Sequence, residues 1–259
     1  MEVPLEMIFT QIERFFFPLT RFGAMMLVAP FFGARTIPVR LRLLLSLVLT
    51  IVLMPEASAT SAVLGQGSMW IMLLLQQVLI GIGMGFMIQV AMSGIIMAGQ
   101  QIAIAMGLGF ASSIDPQNGV QAAVVGQVYL ILGTLIFLTT DSHLLLLQIL
   151  SESFETFPLG YSDWDIEVIR DAVLYSARMF EIGLLIALPV FIGVLTINIG
   201  LGVMTKAAPQ LNVFSIGFPM TMLGGFLLIL LGIPAVIGAM EDVFMEALES
   251  VRAVFGALP

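Results

Sequence analysis

Apolar residues in this chain come in long blocks rather than in short alternating stretches. A helix that crosses a bilayer needs about 20 such residues. Six blocks approach that length, at about 15–34, 41–55, 69–98, 120–140, 179–204 and 213–239. The second is short. The third stays apolar, dotted with amides, to about Phe110. A straight helix from Trp70 to Phe110 would be about 60 Å long at 1.5 Å per residue. That is too long for one span, so a break is expected near Gly94–Gln101. Pro18, Pro30, Pro189, Pro219 and Pro234 fall inside the blocks. Each removes a helix hydrogen bond and is expected to kink its helix. Lipid cannot satisfy the freed carbonyls, so such helices favour protein neighbours. The pattern predicts an all-α, polytopic integral membrane protein with kinked helices and helical hairpins.

The last two blocks carry a second pattern. Gly193 and Gly200 are seven apart, as are Gly217 and Gly224, and Gly225 and Gly232. Seven residues return a helix nearly to the same face. These glycines therefore form small-residue tracks, expected to pack closely within a helical hairpin. Beyond them, Phe244, Leu248, Val251 and Phe255 recur at helical spacing, opposite Glu241, Asp242, Glu246 and Glu249. Anionic lipid attracts basic amphipathic helices rather than acidic ones, so this tail is expected to dock onto a partner protein.

Charge sets the expected orientation. Arg35, Arg40 and Arg42 cluster between the first two blocks, which puts that loop in the cytoplasm. The connector around Lys206, the only lysine, falls on the same side by alternation. Residues 151–171 are acidic, with Glu152, Glu155, Asp163, Asp165, Glu167 and Asp171, and alternation puts them and both termini outside. The segment 99–119 has no Lys or Arg to fix its side.

Composition agrees with a chain that meets little water. Of 259 residues, 59% are hydrophobic and 10% charged, against about 25% charged in soluble domains. The formal net charge of −8 argues against nucleic acid as a partner. There is no cysteine, hence no disulfide framework or thiolate metal site. Met1-Glu2-Val3-Pro4 has no basic region, so a cleaved signal peptide is not expected.

No catalytic or metal-binding motif is present in the sequence, and no cofactor is expected. There is no His-Glu-x-x-His pair and no Gly-x-Ser-x-Gly elbow. The single histidine, His143, sits beside Asp141 at the end of a block, as a solvated helix end would. Gly81, Gly83 and Gly85 lie within an apolar helix and read as packing positions rather than a dinucleotide fingerprint. Arg21 is the deepest charge. An intramembrane arginine is costly and often functional, but Arg14, seven residues away, leaves pairing or snorkelling open as a structural account. Asn198, Gln76, Gln77 and Gln89 suit either a polar path or bonds between helices.

Two segments are distinctive. One is Gly99-Gln-Gln-Ile-Ala-Ile-Ala-Met-Gly-Leu-Gly-Phe-Ala-Ser-Ser-Ile-Asp-Pro-Gln-Asn-Gly119, glycine-punctuated and ending in turn chemistry. The other is Ala207-Ala-Pro-Gln-Leu-Asn-Val-Phe-Ser-Ile-Gly-Phe-Pro219. With the Ile37-Pro-Val-Arg40 loop, they make nearly the whole chain resemble the FliR family of flagellar export-gate proteins. The Ser-Ile-Gly-Phe-Pro ending looks flagellar rather than like the injectisome counterparts.

The resemblance implies a subunit of a helical export-gate assembly in the bacterial inner membrane. The expected partners are FliP-like and FliQ-like subunits, FlhB, membrane lipid and unfolded export substrates in transit. The assembled core is expected to be raised toward the periplasm. By the same resemblance, residues 1–150 form a FliP-like helical part, 151–178 an outer connector, 179–240 a FliQ-like hairpin and 241–259 the acidic tail. Met106, Gly107, Leu108, Gly109, Phe110, Ala111, Ser112, Ser113, Ile114, Asp115 and Pro116 form the expected plug. Its apolar start suits exclusion of water from a narrow lumen. Lys206, Pro209, Gln210 and Asn212 mark the cytoplasmic connector. The rival classes are a small-molecule transporter, which should show internal repeats, and an intramembrane enzyme, which should show a nucleophile and base.

Overall fold

The computed structural model of the chain describes residues 5–33, 37–53, 67–108, 124–158, 166–208 and 213–256, and all the regular structure there is helical. The helices are α1 (Leu5–Val28), α2 (Val39–Val52), α3 (Gly67–Ala105), α4 (Val124–Thr139), α5 (Ser142–Thr156), α6 (Ile166–Leu174), α7 (Arg178–Ala207) and α8 (Val213–Phe255). A 3₁₀ turn, Tyr175–Ala177, joins α6 to α7. The chain divides into two compact units. The first comprises Met1–Val90, Asp141–Ser176 and Met245–Pro259, and the second Ala91–Thr140 and Ala177–Phe244.

Among the described residues three helical stretches are long and apolar enough to cross a membrane: Trp70–Ala105, Glu167–Ala207 and Ile216–Phe255. A fourth arises if α4 and α5 count as one bent span. Three of the six expected blocks, 15–34, 41–55 and 120–140, are therefore not among the three single helices that could cross. The block 41–55 forms only the 14 residues of α2, about 21 Å of helix, short of the roughly 30 Å hydrocarbon layer. The block 120–140 forms α4 alone, which stops at Asp141, where φ is 55°. Pro30 is corrected too. It follows the end of α1 instead of kinking it, because the residue before a proline resists helical geometry.

The expected break near Gly94–Gln101 is absent, and α3 runs unbroken for 39 residues. The glycines there serve close approach. In the second unit, a Cβ on Gly94 would lie 2.8 Å from Ile182 Cβ, and one on Gly99 would lie 2.8 Å from Gly126 Cα. Gly99 and Gly126 thus let the backbones of α3 and α4 meet. Around these contacts Met92, Ile95, Ile102, Tyr129, Phe137, Ile186 and Val194 are buried.

In the first unit, α1 and the start of α3 run in the same direction. Phe17 meets Trp70, and Arg21 meets Gln77. Gly85 faces Met25 further along, where a Cβ would lie 2.9 Å from Met25 O. Gly81 lies so close to the Arg21 carbonyl that any side chain would collide with it. Gly83 receives the ring of Phe255, whose Cζ would be 2.5 Å from an added Cβ. The packing role read for these three glycines therefore holds.

That contact also corrects the reading of the tail. Phe244, Leu248, Val251 and Phe255 are all buried within the chain rather than left for a partner. Phe244 packs against Phe137 in the second unit, with the rings tilted by 56° and centroids 5.1 Å apart. In the first unit Arg252 forms a two-pronged pair with Glu152, at 3.1 and 3.2 Å. The acidic face, Glu241, Asp242, Glu246 and Glu249, is exposed.

Candidate gating site

The expected plug begins where α3 ends, in the second unit. Gly107 has φ 82°, a left-handed conformation that glycine adopts without a Cβ penalty. Its N–H donates to Ile104 O, and the N–H of Leu108 donates to Ala103 O, both at 3.0 Å. This pair of bonds is the Schellman closure of a helix C-terminus. The N–H of Met106 donates to Ile102 O at 2.9 Å.

The last carbonyls of a helix otherwise lack partners. Those of Ala105 and Met106 are met from the hairpin formed by α7 and α8. Asn198 Nδ2 on α7 donates to Ala105 O at 3.4 Å. Thr221 Oγ1 on α8 lies 3.4 Å from Met106 O and 3.0 Å from Phe218 O. A hydroxyl has one hydrogen, so these two acceptors share it. Both contacts to α3 are longer than the usual 2.7–3.2 Å range.

The Met106 side chain is fully buried and lies against Gly225. A Cβ there would stand 2.5 Å from Met106 Cγ and 2.8 Å from its Sδ. The flexible thioether occupies the notch that the glycine leaves.

Of the plug residues named from the sequence, Met106, Gly107 and Leu108 stand at this helix end. Gly109, Phe110, Ala111, Ser112, Ser113, Ile114, Asp115 and Pro116 lie outside the described residues. Lys206 is exposed in the last turn of α7, where a cation suits the helix dipole. Pro209, Gln210 and Asn212 lie outside the described residues.

The glycine tracks divide. Gly193 faces Leu228 across the hairpin and Gly224 faces Ile197, each with 2.5 Å between an added Cβ and a side-chain methyl. Gly217 is buried. Gly200 and Gly232 have nothing within 4 Å of an added Cβ.

Arg21 builds a separate polar site in the first unit and is 0% exposed. Its Nε donates to Gln77 Oε1 at 2.7 Å. Nη1 donates to both the carbonyl and the hydroxyl of Ser153 at 2.9 Å, and Nη2 donates to Phe157 O at 2.8 Å. Its guanidinium carbon stands 3.9 Å from the centroid of the Phe154 ring. Among the described residues the charge is buried and its hydrogen-bond partners are neutral groups. It rests on the C-terminal carbonyls of α5, the negative end of a helix dipole, and on an aromatic face.

A helix end capped by two other helices, in a chain of long apolar helices, is a constellation that relatives can place. The chain matches bacterial export proteins, family 1, over residues 12–247. Flagellar biosynthetic protein FliR of Pectobacterium carotovorum subsp. carotovorum is 35% identical over 243 residues, 92% of this chain and 91% of its own. Its counterpart in Escherichia coli (strain K12) is 32% identical over 260 residues, 100% and 99% of the two chains. The chain belongs to the FliR family.

FliR of Bacillus subtilis (strain 168) is similar over 235 residues at 25% identity, 90% of each chain. The stretch shared with the FliR family holds the end of α3, most of the hairpin and Arg21 alike. Sequence reading missed Thr221, the seat at Gly225, and the Ser153–Phe157 cradle of Arg21. A threonine in the apolar run Met220–Met222 was the only signal for the first. The partners of Arg21 lie 132 and 136 residues away, beyond any local pattern.

Proposed function

We propose that this FliR-family chain is a structural and gating subunit of the flagellar type III export gate. In this reading it forms, with FliP-like and FliQ-like subunits and FlhB, the inner-membrane channel that passes unfolded flagellar proteins outward. The core of that assembly is raised toward the periplasm, and lipid surrounds the rest. The chain catalyses nothing and uses no cofactor. The observation that carries the reading is the family match over residues 12–247. The chain is a flagellar export membrane protein that works with other export proteins. Its relatives are named as flagellar proteins, which favours this gate over that of the injectisome and over a small-molecule transporter.

Two features support the structural half. The apolar window of the last membrane-length helix is only 11% buried within the chain, so neighbouring subunits or lipid must cover it. Gly200 and Gly232 present open small-residue positions on the hairpin, as close helix neighbours require. For the gating half, residues 106–116 form the plug, Gly193, Gly200, Gly217, Gly224, Gly225 and Gly232 the packing tracks, and Lys206, Pro209, Gln210 and Asn212 the cytoplasmic connector. A glycine-ended helix followed by an apolar segment suits closure of a narrow lumen.

The test is removal of the chain from a flagellated host. Secretion of flagellar subunits should stop and return on complementation, and the tagged chain should co-purify with the FliP-like and FliQ-like subunits. Normal secretion without the chain would refute the reading.

A further inference from the structure

We propose that the hairpin α7–α8 is a releasable clasp on the end of α3, with Asn198 and Thr221 as its donors and Gly225 as the seat for Met106. The inference rests on the gating reading, because what the clasp positions is the base of the sealing segment. Asn198, Thr221 and Gly225 are positioning residues.

The turn at Gly107 closes Ala103 O and Ile104 O by its own N–H groups. Among the described residues, Ala105 O and Met106 O are met by side chains of the hairpin. In apolar surroundings a bare carbonyl is costly, so these contacts help hold the end of α3 beside the hairpin. Met106 adds a mechanical contact, a buried side chain in the notch at Gly225.

The same contacts are built to let go. Both donor distances to α3 are 3.4 Å, at the weak end of hydrogen bonding. The Thr221 hydroxyl already has Phe218 O at 3.0 Å. On release it therefore keeps a full bond within its own helix, and only the α3 carbonyl is bared. Methionine is unbranched and polarisable, and it adapts to changed surroundings more readily than a β-branched side chain. A permanent joint would instead use short bonds and interlocked branched residues.

The experiment uses cells that make the complete gate and compares three variants for assembly, ion leakage and export. The first has residues 107–113 shortened, which tests the gating reading itself. The second is Asn198→Leu with Thr221→Val, which keeps bulk and removes both donors. It should assemble normally, still export, and leak more, by up to about fivefold for each donor lost, the value of an ordinary hydrogen bond and so an upper bound for these long ones. Thr221→Ser with native Asn198 should remain tight.

The third is Met106→Cys with Gly225→Cys, in a chain that has no other cysteine. The close approach at this pair suits a disulfide, whose Cβ atoms lie about 3.8 Å apart. Oxidation should lock the clasp and stop export, and reduction should restore it. A shortened variant that leaks beside a double variant as tight as wild type would overturn the clasp and leave the gating reading standing. A disulfide that fails to form, or that forms without slowing export, would overturn the clasp whatever the shortened variant does.

Discussion

At the residue scale, Arg21 shows how one side chain can order a helix cluster. Its guanidinium reaches α3 through Gln77 and the end of α5 through Ser153 and Phe157. All these groups are buried, so a truncation leaves several acceptors without partners and a cavity beside Phe154. Arg21→Ala should destabilise the protein by several kcal/mol, since each buried acceptor left without a partner costs about 1–3 kcal/mol. Arg21→Lys keeps the charge but loses the planar fork, and it should fall between Arg21→Ala and the native protein. Thermal unfolding of the purified assembly in detergent would rank the three. Equal stability for Arg21→Ala and the native protein would remove the stapling role. The sequence made Arg21 visible as a charge in an apolar block. It did not reveal the structural role, because two of the four acceptors are backbone carbonyls, which every residue has, and the Ser153 and Phe157 groups lie more than a hundred residues away.

At the element scale, glycine position matters more than glycine spacing. The seven-residue tracks were legible in the sequence, and the structure divides them by what each glycine faces. Gly193 and Gly224 face side chains across the hairpin, and Gly200 and Gly232 face open space. Gly99, by contrast, looked like part of a helix break and turned out to be a backbone-to-backbone contact with Gly126. Span length does not set helix length here, because one helix need not fit one bilayer. A helix of 39 residues needs no break where its glycines are packed against other helices. Gly99→Val should therefore reduce the folded amount of the chain strongly, since backbone cannot yield as a side chain can. Gly224→Ala should be mild, because the obstructing atom is the mobile Cδ1 of Ile197. Gly232→Leu should leave the chain's own fold intact and weaken co-purification with FliP-like and FliQ-like subunits. Protease resistance and pull-down yield, measured in parallel, separate these outcomes. Loss of fold in Gly232→Leu, or none in Gly99→Val, would contradict the assignments.

At the scale of the whole molecule, the fold class followed from the apolar blocks and the scarcity of charge. The number of spans did not, because blocks of similar hydropathy fold as a short helix such as α2, a bent pair such as α4 and α5, or a helix as long as α8. The tail was read as a docking surface because its stripe is amphipathic, but an amphipathic stripe does not say whether its cover comes from another chain. The Arg35–Arg42 cluster still motivates a cytoplasmic first loop. Because α2 is too short to cross, the test of that loop is a reporter fused after Arg42, which should report the cytoplasm; a signal from outside would sink that topology. Ion leakage through the complete gate decides whether the segment that begins at the end of α3 seals a channel. With residues 107–113 shortened, cells should leak ions while the chain still assembles and some export persists. A shortened chain that assembles normally in a membrane that stays tight would contradict the gating role.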